Sequence, residues 1–117
     1  MYKIEAIVRE EALEDVKDAL IAADIRGITV SQVMGCGTQM GYTQLVRGNK
    51  VSMTMLPKIK FEIVVSDETW ANRAVEAIRK AAYSGNPGDG KIFVLDVVRA
   101  VRIRTGEEGR EAITPAQ

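Results

Sequence analysis

Two hydrophobic periods alternate along the chain, and their order limits the possible folds more than any other feature of the sequence. Apolar residues occupy every second position over Tyr2–Val8 and Ile59–Val65, which is the pattern of a half-buried strand. They recur at helical spacing over Leu13–Ala23 and Ala71–Ala82, opposite charged residues. The segments "ITVSQV" and "IFVLDVV", rich in β-branched residues, are predicted as two more strands.

The predicted order is therefore β-α-β, a long connection, and β-α-β again. This order is typical of an α+β, ferredoxin-like βαβ-βαβ sandwich, in which two helices cover one face of a four-stranded antiparallel sheet. A chain of 117 residues can bury one core of this size, so we expect a single domain over residues 1–117. Ser66 and Asp67 offer N-cap oxygens to the second helix, whereas the tail "EEGREAITPAQ" has no clear period and is expected to be partly mobile.

Composition excludes several classes of function. The 16 basic residues balance the 16 acidic ones, so no overall field favours nucleic acid or an anionic membrane, and any anion site must be local. The absence of histidine excludes His-based triads, His general bases and most zinc sites. The single Cys36 cannot form an internal disulfide, and no apolar run approaches the roughly 18 to 20 residues of a membrane span. The start "MYKIEAIVRE" is unlike a signal peptide, so we expect a cytoplasmic protein that neither binds nucleic acid nor inserts into membranes.

The glycine-rich segment "GNPGDGKI", residues 85–92, matches seven of the eight positions of the phosphate-binding motif G-x-x-x-x-G-K-[ST]. The eighth position needs a hydroxyl for magnesium, and Ile92 has none. The motif also requires a loop that follows a strand and opens a helix, whereas this loop follows a predicted helix and opens a predicted strand. We therefore exclude a P-loop hydrolase.

Two interpretations of this glycine-rich segment remain. It is a helix-ending turn, with Gly85 as the left-handed cap and Pro87 preventing continuation of the helix. Alternatively it is an anion site, in which Gly88 and Gly90 let the backbone approach a phosphate and Lys91 adds charge. Three glycines, an aspartate and a lysine exceed what a turn requires, so both interpretations are kept.

Two arginines stand two positions apart in "VRIRTGEEG", on a segment predicted to be extended from Val101 to Thr105. Arg102 and Arg104 would leave such a strand on one face, and two guanidiniums there can clamp a phosphate or a carboxylate. A solvated strand face is the alternative.

The connection "GCGTQMGYTQLVRGNKVSMTML", residues 35–56, is the third local feature. Structureless loops longer than about 12 to 15 residues are uncommon in compact domains and are usually functional or disordered. Val51, Met53 and Met55 cannot all reach the core from such a loop, so we expect them to contact a partner. The alternative is a hairpin extension whose Val51–Met55 end pairs as a ribbon.

Taken together, five motifs resemble the PII family of nitrogen-regulatory signal-transduction proteins over nearly the whole chain. They are "KIEAIVR", "GxGxQxGxTxLxRG" across residues 35–48, "LPKIKFEIVV", "GDGKIFV" and "RIRTGEEG", in the order and spacing of that family. The resemblance implies a cytoplasmic, non-catalytic homotrimer without a redox cofactor. Such a protein binds ATP or ADP in clefts between subunits, binds 2-oxoglutarate together with Mg²⁺ and ATP, and regulates a target protein.

The resemblance also implies which segments and residues act. The segments are a T-loop at about 37–56, a B-loop at about 85–91 and a C-terminal segment at about 102–117. The residues expected to bind nucleotide are Gly27, Thr29, Gly35, Gly37, Thr38, Gln39, Glu62, Val64, Gly88, Asp89, Gly90, Lys91, Arg102 and Arg104. The residues expected to bind 2-oxoglutarate are Gln39, Gly41, Lys58 and Gly88. Lys58 would pair with a carboxylate of 2-oxoglutarate, and Gln39 would complete the coordination shell of the magnesium ion.

The chain departs from the family pattern at positions that matter for regulation. Val51 replaces the tyrosine that many relatives nucleotidylate, and Asn49 replaces a serine that others phosphorylate. Thr38 stands where an arginine is common, which leaves the ATP/ADP preference open, and Glu10 replaces a frequent proline. Arg47 fits the residue with which ammonium-channel regulators of the family enter the channel pore.

An ammonium channel that contacts Arg47 is therefore the expected target, and a soluble enzyme that contacts Val51, Met53 and Met55 is the alternative. A PII-like module that senses an adenine nucleotide with another ligand, such as bicarbonate, is the alternative function. An acylphosphatase-like enzyme would share the fold, but no short anion loop near Arg9 supports it.

Overall fold

The computed structural model describes residues 1–38 and 53–113, which form four strands, two long helices and two short helical segments. In chain order these elements are β1 (Tyr2–Arg9), a 3-10 turn (Glu10–Ala12), α1 (Leu13–Ala22), β2 (Thr29–Thr38), β3 (Met53–Val65), α2 (Glu68–Ala82), β4 (Gly90–Asp96) and α3 (Arg110–Ile113). No helix within the described ranges has the length and apolar character needed to cross a membrane.

The four strands form one antiparallel sheet in the order β2-β3-β1-β4. Ile4 lies opposite both Ile63 of β3 and Val94 of β4, so the first strand of the chain is central to the sheet. This order, with α1 and α2 on one face, confirms the predicted ferredoxin-like sandwich.

The core lies between the two helices and the helix-facing side of the sheet. Its strand residues come from alternate positions, and its α2 residues recur at spacings of three and four; the fully buried large side chains are Phe61, Ile4, Leu20, Ile63, Ile78, Val8 and Val16. All buried side chains among the described residues are apolar. Truncation of Phe61 to alanine should therefore cost about 3–5 kcal/mol, because it removes both apolar burial and packing.

The predicted N-cap of α2 is confirmed, but the predicted C-terminal cap is wrong. The Asp67 carboxylate accepts a hydrogen bond from the Trp70 N–H at 3.0 Å. At the other end α2 stops at Ala82, the next residue is extended, and Gly85 lies three residues beyond the helix. The guanidinium of Arg9 donates to the Ala82 carbonyl at 3.2 Å, so a side chain from β1 helps to satisfy this helix end.

The connection predicted to be a loop over residues 35–56 is in fact paired at both ends. The ladder between β2 and β3 continues through Gly35↔Leu56 to Thr38↔Met53. The prediction of an unpaired connection is therefore wrong for residues 35–38 and 53–56, and the alternative, a hairpin extension that pairs as a ribbon, is confirmed for Met53–Met55. Gln39, Gly41, Arg47 and Val51 lie outside the described residues.

The segment after β4 is not the predicted extended strand. Val101 forms an isolated bridge with Glu108, and the Gly106 N–H donates to the Arg102 carbonyl at 2.8 Å. Gly106 has φ of 75°, which permits this tight reversal. The four-residue helix α3 follows, in the tail for which the sequence showed no period.

Candidate functional site

The glycine-rich loop after α2 is folded around the carboxylate of Asp89. This carboxylate accepts hydrogen bonds from the Ser84 N–H at 2.7 Å, the Gly85 N–H at 3.1 Å and the Ser84 hydroxyl. The hydroxyl of Ser84, followed by the two backbone N–H groups and the charge of Arg9, holds the pKa of Asp89 below its usual value. Asp89 is therefore an ionised group directed into its own loop.

The glycines of this loop serve different purposes. Gly85, Gly88 and Gly90 all have left-handed φ angles, of 86°, 98° and 110°. A β-carbon on Gly90 would lie 1.8 Å from the Ile7 carbonyl oxygen, so no other residue fits where β4 begins beside β1. A β-carbon on Gly88 would meet nothing within 4 Å, so glycine is needed there for backbone conformation and leaves the loop open to solvent.

Lys58 approaches this loop from β3. Its Nζ lies 3.4 Å from the Gly88 carbonyl oxygen, a long hydrogen-bond contact. A β-carbon on Gly35 would lie only 3.0 Å from Cγ of Lys58, so the glycine leaves room for the lysine stem beside β2. The structure thus brings together the predicted residues of one group, here named the loop group: Gly35, Lys58, Gly88, Asp89, Gly90 and Lys91.

The loop group concentrates positive charge at one end of the sheet. Lys58 lies opposite Arg9, and Lys91 lies opposite Ile7 on the other side of β1. Both lysines therefore project from the sheet face away from the helices, on strands about 10 Å apart. Because Asp89 is occupied within its loop, these ammonium groups and the glycine backbone are available to an anion.

A second group of predicted residues lies around a cavity of about 250 Å³ at the other end of the same sheet face. Gly27, Thr29, Glu62 and Val64 all line this cavity, which we name the strand-end cavity. Thr29 and Glu62 are direct cross-strand partners, so β2 and β3 place the hydroxyl and the carboxylate side by side.

Glu62 is held as an ionised hydrogen-bond acceptor. Lys3 Nζ lies 2.7 Å from one Glu62 oxygen and 2.9 Å from Glu5. The bond from Lys3 lowers the pKa of Glu62, and the bonds to Glu62 and then Glu5 raise the pKa of Lys3 to about 12. The cavity therefore presents an acceptor that suits an amino or hydroxyl group.

A neighbouring cavity of about 270 Å³ shares Arg26, Val64 and Ile113 with the strand-end cavity. It extends to Trp70, over whose ring Arg73 lies at 4.5 Å from the centroid. Sequence reasoning did not identify this extension, because the segment after α1, β3, α2 and α3 meet there only in the folded chain.

Sequence reasoning also missed the residues that support the site. Lys3 lines the strand-end cavity, and Arg9 Nε lies 3.3 Å from Asp89 Oδ1. Both stand on β1, where alternation showed only that they face away from the core. Glu62, which binds Lys3, and Asp89, which faces Arg9, are each more than 50 residues away in sequence, and no local pattern signals such pairs.

The structure separates the two predicted arginines, and of the two only Arg102 has described contacts within the C-terminal segment. The Arg102 guanidinium donates to Glu107 Oε1 at 2.8 Å and to the Glu111 carbonyl at 2.9 Å. Arg104 lies in the turn and is exposed. The shared strand face predicted for this pair is therefore wrong, because the chain reverses at Gly106.

The other predicted residues lie in or beyond the β2–β3 ribbon. Gly37 pairs with Thr54 and Thr38 pairs with Met53, at the far end of the hairpin. Gln39, the predicted magnesium ligand, is outside the described ranges, as are Gly41, Arg47 and Val51. Within those ranges, no cluster of three or more acidic or thiol side chains is placed to hold a metal ion.

Comparison with known proteins identifies relatives of the whole chain. The sequence profile of the family described as "Nitrogen regulatory protein P-II" matches residues 1–107. Nitrogen regulatory protein P-II 1 of Methanothermobacter thermautotrophicus is 56% identical over 113 residues, covering 97% of each chain. Nitrogen regulatory protein P-II of Pasteurella multocida is 50% identical over 113 residues, which is 97% of this chain and all of that protein.

Solved structures show the same fold. B. subtilis GlnK superposes with a TM-score of 0.78 and the B. subtilis GlnK-ATP complex with 0.80. Each is 38% identical and covers 95% of this chain and 96% of its own. With the match of the family profile and the full-length relatives, this establishes that the chain belongs to the nitrogen regulatory protein P-II family, the PII family that its sequence motifs resemble.

Proposed function

We propose that this protein is a non-catalytic sensor that binds ATP or ADP, with Mg²⁺ and 2-oxoglutarate, in clefts between three copies of the chain. The observation that carries the proposal is the division of the predicted ligand residues into two partial sites on one protomer. The similarity to a GlnK-ATP complex supports adenine nucleotide as the ligand.

The loop group has the chemistry of a phosphate-binding half-site. Gly88 is open to solvent and allows close approach of the backbone to a phosphate, and Lys58 and Lys91 supply charge at the same end of the sheet. A 2-oxoglutarate carboxylate would pair with Lys58 after that lysine leaves its long contact with the Gly88 carbonyl. Such charge-assisted bonds are worth about 1.5–3 kcal/mol each.

The strand-end cavity has the chemistry of a nucleoside half-site. It offers the Glu62 carboxylate and the Thr29 hydroxyl as polar partners, and Val64 and Ile63 as apolar surface. An adenine amino group or a ribose hydroxyl would donate to the ionised Glu62, which Lys3 holds in place at 2.7 Å.

The two half-sites of one protomer are separated along β3. Lys58 and Glu62 stand four residues apart, about 13 Å along the strand. Lys60 lies between them and contacts Glu62 at 4.0 Å, so charged side chains fill the direct path. We infer that the loop group of one protomer meets the strand-end cavity of its neighbour.

Exposed apolar surface supports assembly. Phe93 and Leu95 lie on the sheet face away from the helices and are 49% and 43% exposed. Val98 and Ile103, in the segment after β4, are almost fully exposed. Soluble monomers rarely leave contiguous apolar patches open, and a homotrimer would cover this face while carrying Arg102 and Arg104 into the neighbouring cleft.

The output of such a sensor is conformational. The described T-loop ends, up to Thr38 and from Met53, continue the same strands that carry Gly35 and Lys58. Ligand contacts at those strands would change which T-loop arrangement is stable, and hence whether the target binds. The proposed target is an ammonium channel that contacts Arg47, and regulation would depend on ligands because Val51 replaces the modifiable tyrosine.

Calorimetry with ATP, ADP and 2-oxoglutarate, each with and without Mg²⁺, tests the sensor function. Both nucleotides should bind, and 2-oxoglutarate should bind only with ATP and Mg²⁺ and should tighten ATP by the same factor. Equal 2-oxoglutarate binding to the nucleotide-free protein would exclude the joint site. Bicarbonate in place of 2-oxoglutarate tests the alternative second ligand.

A pull-down from membrane and soluble fractions tests the target. The wild type and Arg47→Ala are compared with ADP and with ATP plus 2-oxoglutarate, and Arg79→Ala on α2 serves as a matched exposed control. Ligand-dependent capture of a channel that only Arg47→Ala abolishes supports the proposal. Capture of a soluble enzyme alone, insensitive to Arg47→Ala, would refute the channel and leave the sensor function in place.

A further inference from the structure

Arg9, the last residue of β1, joins three separate elements next to the glycine-rich loop. Its Nη2 donates to the Ala82 carbonyl at the end of α2, at 3.2 Å. Its Nε lies 3.3 Å from Asp89 Oδ1, and its Nη1 lies 3.5 Å from Glu11 in the 3-10 turn. The side chain is 28% exposed, so it lies mostly beneath the surface between these partners.

The bond to Ala82 fixes the guanidinium at a helix C-terminus, where positive charge is favourable. From that position the same group faces the carboxylate around which residues 84–89 fold. Arg9 therefore connects the rigid sheet and the end of α2 to the part of the loop that carries Gly88 and Gly90.

The contact between Arg9 and Asp89 is electrostatic rather than a well-aligned hydrogen bond. Nε of Arg9 is buried without a hydrogen-bond partner of good geometry, although Asp89 Oδ1 is only 3.3 Å away. A buried N–H in this condition costs free energy, but the attraction between the opposite charges of Arg9 and Asp89 opposes movement of the loop away from Arg9. The pair thus favours one position of the loop.

The contacts of Asp89 favour a supporting role in the loop rather than the direct nucleotide contact that the family resemblance implies. Its carboxylate accepts from Ser84 and Gly85 and faces Arg9, so it is directed into the loop rather than toward an incoming anion. A carboxylate directed at a phosphate would repel it, whereas this arrangement keeps the negative charge paired.

We propose that Arg9 is a positioning residue for phosphate binding: acting through Asp89, it holds the loop of residues 84–91 in the shape that receives the phosphates, without contacting them. The proposal rests on the proposed nucleotide-binding function. It predicts that removing Arg9 loosens the loop and weakens phosphate binding, although every residue of the loop group remains.

The test uses the full-length protein and the variants Arg9→Met, Arg9→Lys, Asp89→Asn and the double variant Arg9→Met plus Asp89→Asn. Arg79→Met, at an exposed position of α2, is the matched control. Calorimetry gives ATP and ADP affinities, and amide hydrogen exchange without ligand reports on residues 84–91. Thermal unfolding at one protomer concentration checks that each variant is folded.

Arg9→Met should weaken ATP and ADP about tenfold and speed amide exchange in residues 84–91, with strands β1 and β3 unchanged. Arg9→Lys should recover part of the affinity, because it keeps the charge but not the two-pronged geometry. In the Asp89→Asn background, Arg9→Met should change the ATP affinity less than twofold, because the charge pair between Arg9 and Asp89 is already absent. Arg79→Met should behave like wild type.

The proposal would be overturned if Arg9→Met kept the ATP affinity and the loop exchange rates of the wild type. It would also be overturned if Arg9→Met weakened ATP binding by about tenfold in the Asp89→Asn background. If Arg9→Met does not fold, Arg9→Lys takes its place, and the ATP affinities of Arg9→Lys with and without Asp89→Asn are compared in the same way. Failure of the wild type to bind any adenine nucleotide is a distinct result, because it would refute the proposed function itself. In that case, slower exchange of the loop in wild type than in Arg9→Met would show that Arg9 orders the loop, but its role in phosphate binding would be refuted with the proposed function.

Discussion

Gly90 begins β4 directly against β1, where a β-carbon would lie 1.8 Å from the Ile7 carbonyl oxygen. The loop group and the sheet are thus joined at a point where only backbone fits. Val8 pairs with Gly90 and Ile7 with Lys91, so the same approach fixes where Lys91 leaves the sheet. The conformation of the loop and the position of its lysine are consequences of one close contact.

Gly90→Ala should therefore destabilise the protein more than Gly88→Ala does. Both residues have left-handed φ, which costs a β-carbon about 1–3 kcal/mol, but only Gly90 adds a collision with backbone. We expect Gly88→Ala to lose about that amount and Gly90→Ala clearly more. Urea unfolding at one protomer concentration measures the difference, and equal losses would contradict the close approach.

Lys91→Ala should weaken ATP and ADP by at least about tenfold, because it removes a charge-assisted bond worth about 1.5–3 kcal/mol. Lys80→Ala, an exposed lysine near the end of α2, is the control and should leave both affinities unchanged. Calorimetry measures the ATP and ADP affinities of both variants. Equal affinities for Lys91→Ala and wild type would assign Lys91 to a solvated strand face and remove the phosphate role of the loop group.

The spacing of apolar residues in the sequence predicts four strands, two helices and their order. In β1, for example, the buried residues Ile4, Ala6 and Val8 are apolar and alternate with polar or partly exposed ones. The prediction from spacing failed for residues 101–105, where Val101 and Ile103 alternate like a strand but are exposed and lie around a turn. Short alternation without burial carries little information about structure.

The supporting contacts of the site could not be predicted in the same way. Gly88, Gly90 and Lys91 are visible as a loop motif, but the motif does not show that Asp89 folds the loop or that Arg9 faces it from 80 positions away. One of the two interpretations of the loop makes Gly85 the helix cap, because glycine is common there, whereas Arg9 supplies a partner for that helix end. Contacts between distant residues require the folded chain.

The effect of Asp89→Asn should depend on pH only in acid. The pKa of Asp89 is lowered below its ordinary value of 3.8, chiefly by the Ser84 hydroxyl. The stabilisation from the carboxylate is therefore complete above that value and is lost as the pH falls through the lower pKa of the folded state. The difference in unfolding midpoint between wild type and Asp89→Asn should be constant from about pH 8 to 5 and shrink only below about pH 4. A difference that already fades near neutral pH would contradict the lowered pKa.

Mixing two defective variants tests whether each ligand site joins two protomers. Lys91→Ala damages the loop group and Glu62→Ala damages the strand-end cavity, so each variant alone should bind ATP at least about tenfold more weakly. When both are unfolded and refolded together, an intact site forms wherever the loop of a Glu62→Ala protomer meets the cavity of a Lys91→Ala protomer. Random assembly into a closed ring should restore about a quarter of the sites to wild-type affinity.

The control for this mixing experiment is the same two variants refolded separately and then combined, which should show no recovery before subunits exchange. Calorimetric stoichiometry distinguishes a few tight sites from many weak ones. If the half-sites of a single protomer served one ligand, each protomer would carry one defect, and co-refolding would restore nothing. Recovery of about a quarter of the sites follows only if β3 of one copy presents Glu62 to a nucleotide whose phosphates rest on the loop of another.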